Sequence, residues 1–220
     1  MAAILNIETA TKNCSVSISI DGKSLFTEEV YDDNYCHSEK LHLFISNLLK
    51  HIGDFSNLDA ISISRGPGSY TGLRIGLAAA KGLCFSLEKP LISLSTLECM
   101  LYSVVDEKFS DADFLIPMID ARNTRVYNAV FNRKKTLVKR DYIEHINENS
   151  HSKYLLNEAK VCYLGNNLEG YRDILKHSNA KFLDGIVPSS RYMGFLAEKK
   201  FLEKDFENIA YFEPSYLNSP

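Results

Sequence analysis

Arg65-Gly66-Pro67-Gly68-Ser69-Tyr70-Thr71-Gly72-Leu73-Arg74-Ile75-Gly76 is the stretch on which the fold turns. It follows the alternating run Asp59-Ala60-Ile61-Ser62-Ile63-Ser64 and opens a long apolar segment ending near Leu87. That is the layout of a strand, a tight turn and a helix. Gly66 and Gly68 are free to take positive φ, Pro67 fixes its own φ, and Ser69 or Thr71 is placed to cap the helix. A helix start of this kind holds an anion when its free N–H groups face one. Two phosphate motifs are excluded by spacing. No Gly-Lys-Ser/Thr follows, as a Walker loop requires, and Gly66-x-Gly68 lacks the third glycine of a dinucleotide fingerprint. A turn with a capped helix accounts for these residues without a phosphate.

The helix that follows runs through Leu73–Leu87. At 3.6 residues per turn, Leu73, Gly76, Leu77, Ala80, Leu83, Cys84 and Leu87 share one face, and Ile75, Ala78, Ala79, Gly82 and Phe85 the other. Only Arg74 and Lys81 interrupt the apolar surface, on one edge. A helix apolar nearly all round packs on more than one side. One face belongs on a sheet; the other calls for a second subdomain or a partner protein. Its glycines and alanines suit close helix–helix approach. In a chain of 220 residues a large single core would serve as well as an interface.

Composition bounds the rest. With 45% hydrophobic residues the chain fits one large domain or two small ones. A net charge of −3 gives no field to gather nucleic acid. The basic cluster Arg133-Lys134-Lys135 with Lys139-Arg140 reads as a solvated hairpin tip. The five cysteines, Cys14, Cys36, Cys84, Cys99 and Cys162, are scattered without Cys-x-x-Cys spacing, which predicts buried thiols in a reducing compartment. Met-Ala-Ala-Ile-Leu-Asn-Ile-Glu enters a strand directly, and no apolar run is long enough to cross a bilayer. The expectation is a soluble, cytoplasmic protein without a signal peptide.

Working outward, Ala3–Ile7 is a short buried strand. Cys14, Val16, Ile18 and Ile20 alternate with Ser15, Ser17 and Ser19, the pattern of a half-buried strand. Asp21-Gly22 favours a hairpin turn into Lys23–Val30. His37–Ile52 reads as a helix ended by Gly53, Pro90–Leu94 as a strand, and Ser95-Thr96-Leu97-Glu98 as a capping box opening a helix to about Val105. The order β-β-β-α-β-α-β is that of a ribonuclease H-like half. A second start then appears: Leu115–Asp120, a polar turn and a further strand parallel Ala3–Glu8 and its turn. This weak repeat predicts two similar subdomains, at 1–108 and 109–220. Val161–Leu164, a helix near Leu168–His177, Lys181–Leu183 and a helix from Ser189 to about Lys204 would complete the second.

Ile7-Glu8-Thr9-Ala10-Thr11, His37-Ser38-Glu39-Lys40-Leu41, Arg65–Gly76, Ser95-Thr96-Leu97-Glu98, Ile119-Asp120-Ala121-Arg122 and Glu213-Pro214-Ser215-Tyr216-Leu217 occur in this order. Together they resemble the TsaB (YeaZ) family of bacterial tRNA threonylcarbamoyladenosine biosynthesis proteins, strongly over residues 1–130 and thinly afterwards apart from Pro214-x-Tyr216-Leu217. The resemblance implies an α/β fold of the actin-like, sugar-kinase-like (ASKHA) class, built of two ribonuclease H-like subdomains. It also implies a TsaD-like catalytic paralogue as partner, a TsaE-like ATPase joined through the complex, and tRNA met indirectly.

TsaD-like proteins carry a metal-binding His-x-x-x-His pair at the start of the helix matching Ser95–Met100; here Thr96 and Met100 stand in those places. A hydroxyl and a thioether are poor ligands for a hard or borderline cation, so no metal site is expected. His37 and His42 are five apart and do not share a helical face; His37 with Ser38 reads as helix-start chemistry. The two turns that hold phosphates in this superfamily are Glu8-Thr9-Ala10-Thr11-Lys12 and Asp120-Ala121-Arg122-Asn123-Thr124, and neither contains a glycine for close approach. Mg-ATP could bind weakly through Glu8, Thr11 and Asp120, or these residues close strand–turn–strand units by hydrogen bonds. There is no Gly-x-Ser-x-Gly elbow and no His-Glu-x-x-His helix.

The resulting expectation is a non-catalytic scaffold with no catalytic residue of its own. By resemblance it pairs with the catalytic paralogue through its N-terminal helices; the expected contact is the outer face of the Thr71–Leu87 helix, Arg74, Ile75, Ala78, Ala79, Gly82 and Phe85, beside the helix from Ser38, and a homodimer covers the same patch when the chain is alone. The alternatives are a small ATPase or kinase acting through Glu8 and Asp120, or a peptidase acting on the partner.

Overall fold

A computed structural model of the chain describes residues 2–32, 36–104 and 106–217. Contacts divide it into two units, Met1–Cys99 with Pro188–Tyr216, and Met100–Val187. The grouping differs from a division at 108/109, because the C-terminal segment returns to the first unit.

The first unit runs β1 (Ala3–Glu8), β2 (Asn13–Ile20), β3 (Lys23–Tyr31), α1 (His37–Ile52), β4 (Ala60–Ser64), α2 (Tyr70–Leu87), β5 (Leu91–Leu94) and α3 (Thr96–Met100). Its sheet has the order β3-β2-β1-β4-β5, antiparallel across β1–β2 and β2–β3 and parallel across β1–β4 and β4–β5. The Asp21-Gly22 turn takes positive φ at both residues, 50° and 73°, as a two-residue hairpin demands. α1 buries Leu41, Ile45 and Leu48 against the sheet, each worth roughly 1.5–3 kcal/mol of transfer. α3 is shorter than its capping box suggested; Val105, the expected end, lies outside the described residues.

β2 departs from its pattern. Ser15, Ser17 and Ser19 were placed by alternation on an open face, yet all three are buried. The cover is the returning segment, which contains α5 (Gly194–Glu203). Ser190 N donates to Ser15 Oγ at 2.8 Å, Ser17 Oγ donates to Ser190 O at 2.8 Å, and Asn13 Nδ2 donates to Pro188 O at 2.9 Å. Asn6 adds a polar layer: its Nδ2 donates to Ser19 Oγ at 3.0 Å and its Oδ1 accepts from Ser62 Oγ at 2.7 Å. The hydroxyls of Ser15, Ser17 and Ser19 are tolerated inside because each finds a partner. The helix expected to complete the second half is therefore part of the first.

The second unit runs β6 (Phe114–Asp120), β7 (Arg125–Asn132), β8 (Leu137–His145), β9 (Val161–Gly165), α4 (Glu169–Ile174) and β10 (Ala180–Leu183). Its order, β10-β9-β6-β7-β8, with β6–β7 and β7–β8 antiparallel and β6–β9 and β9–β10 parallel, repeats the first sheet's topology. The core gathers Ile116, Met118, Val126, Val130, Tyr163 and Leu168. Two ribonuclease H-like units, the α/β fold class expected, are thus both present. Among the described residues no helix is long and apolar enough to cross a membrane.

Candidate functional site

The turn after β1 is the first place to look for chemistry. Glu8 ends that strand fully buried, and its Oε1 accepts from Ala10 N at 2.6 Å and Ser64 Oγ at 2.8 Å. Burial pushes the carboxyl up to about 7, against the lowering effect of those donors. Thr11 Oγ1 accepts from Asn13 N at 3.3 Å. His37, the first residue of α1, places Nε2 3.1 Å from the Thr9 carbonyl and so ties the helix to this turn. Burial lowers its pKa. The carboxylate is folded into its own turn rather than presented outward.

The start of α2 closes the same turn from outside. Ser69 caps the helix, its Oγ accepting from Gly72 N at 3.2 Å, and Ser69 N donates to Ala10 O at 2.7 Å. The Ala10 carbonyl therefore occupies ground that an anion would need. Gly66 has φ 103°, but Gly68 does not take positive φ. Gly68 is needed because a Cβ there would strike the Ala10 carbonyl, and one on Gly72 would strike that of Thr9. The glycines of this motif serve backbone-to-backbone packing.

Asp120 belongs to the other unit. It is exposed, and its Oδ1 accepts from Tyr171 Oη at 3.0 Å and Arg122 N at 3.1 Å. Arg122, Asn123 and Thr124 all adopt positive φ, between 54° and 67°, a left-handed run without glycine that costs about 1 kcal/mol or more per residue. Thr96 and Met100 are both buried, and the Thr96 hydroxyl has no hydrogen-bond partner among the described residues. Among those residues no three His, Cys, Asp or Glu side chains converge as a metal would require. The five cysteines are all buried and free.

α2 itself is two-faced. Gly72, Leu73, Gly76, Leu77, Ala79, Ala80 and Cys84 are buried, while Tyr70, Arg74, Ala78, Gly82 and Phe85 are exposed and Ile75 is half-buried. Phe85 is 82% exposed. Ala79, expected on the outer face, is 8% exposed and belongs to the core with Leu41 and Ile45; the arc turned to solvent is narrower than the apolar pattern suggested. Leu43 extends the exposed apolar surface on α1.

The C-terminal tail borders this arc. Ser215 N donates to Arg65 O at 2.7 Å. Arg74 lies 4.0 Å over the Tyr70 ring, and its Nε donates to Tyr216 Oη at 3.0 Å. The apolar pattern of the helices does not point to Tyr70 or Leu43, both exposed. Only the Pro-x-Tyr-Leu segment had marked the tail as notable.

Residues 34–154 match the family described as TsaD, tRNA N6-adenosine threonylcarbamoyltransferase. The chain is 28% identical to the tRNA threonylcarbamoyladenosine biosynthesis protein TsaB of Escherichia coli, over 98% of this chain and 94% of that one. It is 26% identical to the TsaB of Haemophilus influenzae, over 98% and 93%. Among solved structures it is similar to YeaZ from Pseudomonas aeruginosa, with a TM-score of 0.81, 22% identity, and coverage of 99% of this chain and 100% of that one. The resemblance drawn from the motifs is borne out.

Proposed function

We propose that this chain, which belongs to the TsaD family of tRNA N6-adenosine threonylcarbamoyltransferases, is a non-catalytic scaffold required for threonylcarbamoyladenosine modification of tRNA. It pairs through the exposed arc of α2 with a catalytic TsaD-like paralogue and activates it. Relatives named for this biosynthesis that match along nearly their whole length support the pathway. The observation that carries the scaffold role is the contrast between an inward-folded Glu8 and an outward-facing Phe85, 82% exposed on a helix with open Ala78 and Gly82 beside it. An exposed aromatic flanked by small residues suits helix-to-helix docking. On this reading a TsaE-like ATPase joins through the complex, tRNA is met indirectly in the cytoplasm, and the isolated chain covers the same arc by forming a homodimer.

Depletion of the protein in its host, with threonylcarbamoyladenosine measured by mass spectrometry of digested tRNA, tests the pathway. The modified nucleoside is expected to fall; unchanged levels after verified depletion overturn the reading. Ala78→Glu tests the face. Gel filtration of the mixed paralogues should show the complex lost while the variant keeps its fold, and an unchanged complex removes α2 from the interface.

A further inference from the structure

The second unit carries a cluster of ionisable side chains that the α2 face does not explain. β8 and the loop 147–154 line an open pocket of 220 Å³, smaller than the sites that hold drug-sized cofactors. Glu144 stands in its wall with both oxygens engaged. Oε1 accepts from Ser150 Oγ at 3.1 Å, and Oε2 lies 3.4 Å from Nε2 of His151. The His151 side chain is 1% exposed, and the same nitrogen is 3.1 Å from Tyr142 Oη. Burial holds this imidazole well below its ordinary pKa, against the raising effect of Glu144. Nε2 is shared between the Glu144 carboxylate and the Tyr142 hydroxyl, which together hold the ring in place.

The remaining wall is rich in donors. Lys139 Nζ sits 3.0 Å from the centre of the Tyr142 ring and Lys153 Nζ 4.8 Å from that of Tyr154. Neither ammonium has a carboxylate partner within 4.0 Å among the described residues. Burial, with the nearby Lys153, lowers the Lys139 pKa despite the opposing Glu144. Asn149 and Ser152 add an amide and a hydroxyl, neither with a hydrogen-bond partner among the described residues. Two ammonium groups stand against one carboxylate, Glu144, so the wall keeps a net positive charge. Such a surplus of donors and positive charge is met by an acceptor-rich anion.

We propose that this pocket binds a phosphate oxyanion through Lys139, Lys153, Asn149 and Ser152, with the Glu144–His151–Tyr142 group as its fixed rear wall. The volume accommodates a phosphate group with little attached to it. The group comes either from free phosphate or from the backbone of an RNA strand. All residues lining the pocket belong to the second unit, apart from α2.

Titration of inorganic phosphate into the full chain at low ionic strength, followed by amide NMR shifts, tests it. Saturable binding with a Kd on the order of 1 mM is expected, with shifts centred on the loop 147–154. Lys153→Gln, at an exposed position that leaves the core untouched, should weaken it about tenfold, and Lys139→Gln with Lys153→Gln should abolish it. A short oligouridylate is the second arm: if it binds more tightly than phosphate and loses that binding in the double variant, the source is RNA backbone; equal or weaker binding assigns free phosphate. Absence of saturation, or a double variant that binds phosphate as the parent does, overturns the proposal.

Discussion

The turn after β1 and the turn after β6 occupy the same place in two sheets of the same topology, and they are built by opposite means. In the first, a fully buried Glu8 ties its own backbone to β4, while the start of α2 packs onto Thr9 and Ala10. In the second, an exposed Asp120 bonds to Arg122 N and Tyr171, and three successive residues sit in left-handed conformations. The difference follows from the helices. α2 has 18 residues and presents glycines to its turn, whereas α4 has six. A repeated topology therefore leaves the rigidity of its turns undetermined; neighbouring elements set it.

Three substitutions test this contrast. Gly72→Val drives a branched side chain into the Thr9 carbonyl and is expected to cost the first unit about 4 kcal/mol or more. Denaturant melts check it, and a midpoint within error of the parent would mean that α2 is free to retreat from the turn.

Glu8→Gln has the next largest effect, and it depends on pH. The carboxyl rises from 4.5 to about 7 on folding. Below 4.5 it is protonated in folded and unfolded chain alike. Between 4.5 and about 7 the unfolded chain releases its proton first, so stability falls as pH rises. Above that range the full penalty of about 3 kcal/mol is present. The variant should flatten the slope between pH 4.5 and about pH 7 and exceed the parent above it; equal slopes would show that the carboxyl gains compensation on ionising.

Thr124→Gly is the smallest change and has the opposite sign. A β-branched residue at φ 58° is strained, and glycine there should stabilise the second unit by about 1 kcal/mol. No gain in melting temperature would mean that the Thr124 hydroxyl, which donates to the Asn123 carbonyl at 2.7 Å, repays the strain.

Much of the architecture was legible because it is written in short-range signals. The bounds of α1 at His37 and Ile52, the Asp21-Gly22 hairpin and the Ser69 cap are read from neighbours a few residues apart, where periodicity and turn chemistry act. The candidate site was legible in part. Arg74, Ala78, Gly82 and Phe85 are exposed as expected, but Ala79 is not. A helix apolar on every side does not reveal which edge its neighbour will cover. Arg74's stacking on Tyr70 is a local i, i+4 contact, but its bond to Tyr216 joins residues 142 apart, beyond the reach of any local pattern.

Local sequence was enough for the strands and long helices of the first unit, the Ser69 cap and the family's motifs, each settled within a turn or two of backbone, whereas β8 went unread. Only the tertiary structure decided that the serines of β2 are interior, that Pro188–Tyr216 belongs to the first unit, and that Glu8 is sealed from solvent. Burial is a property of what comes to lie on a surface. Here the covering residues are distant in sequence, as with Ser15 and Ser190, which lie 175 positions apart.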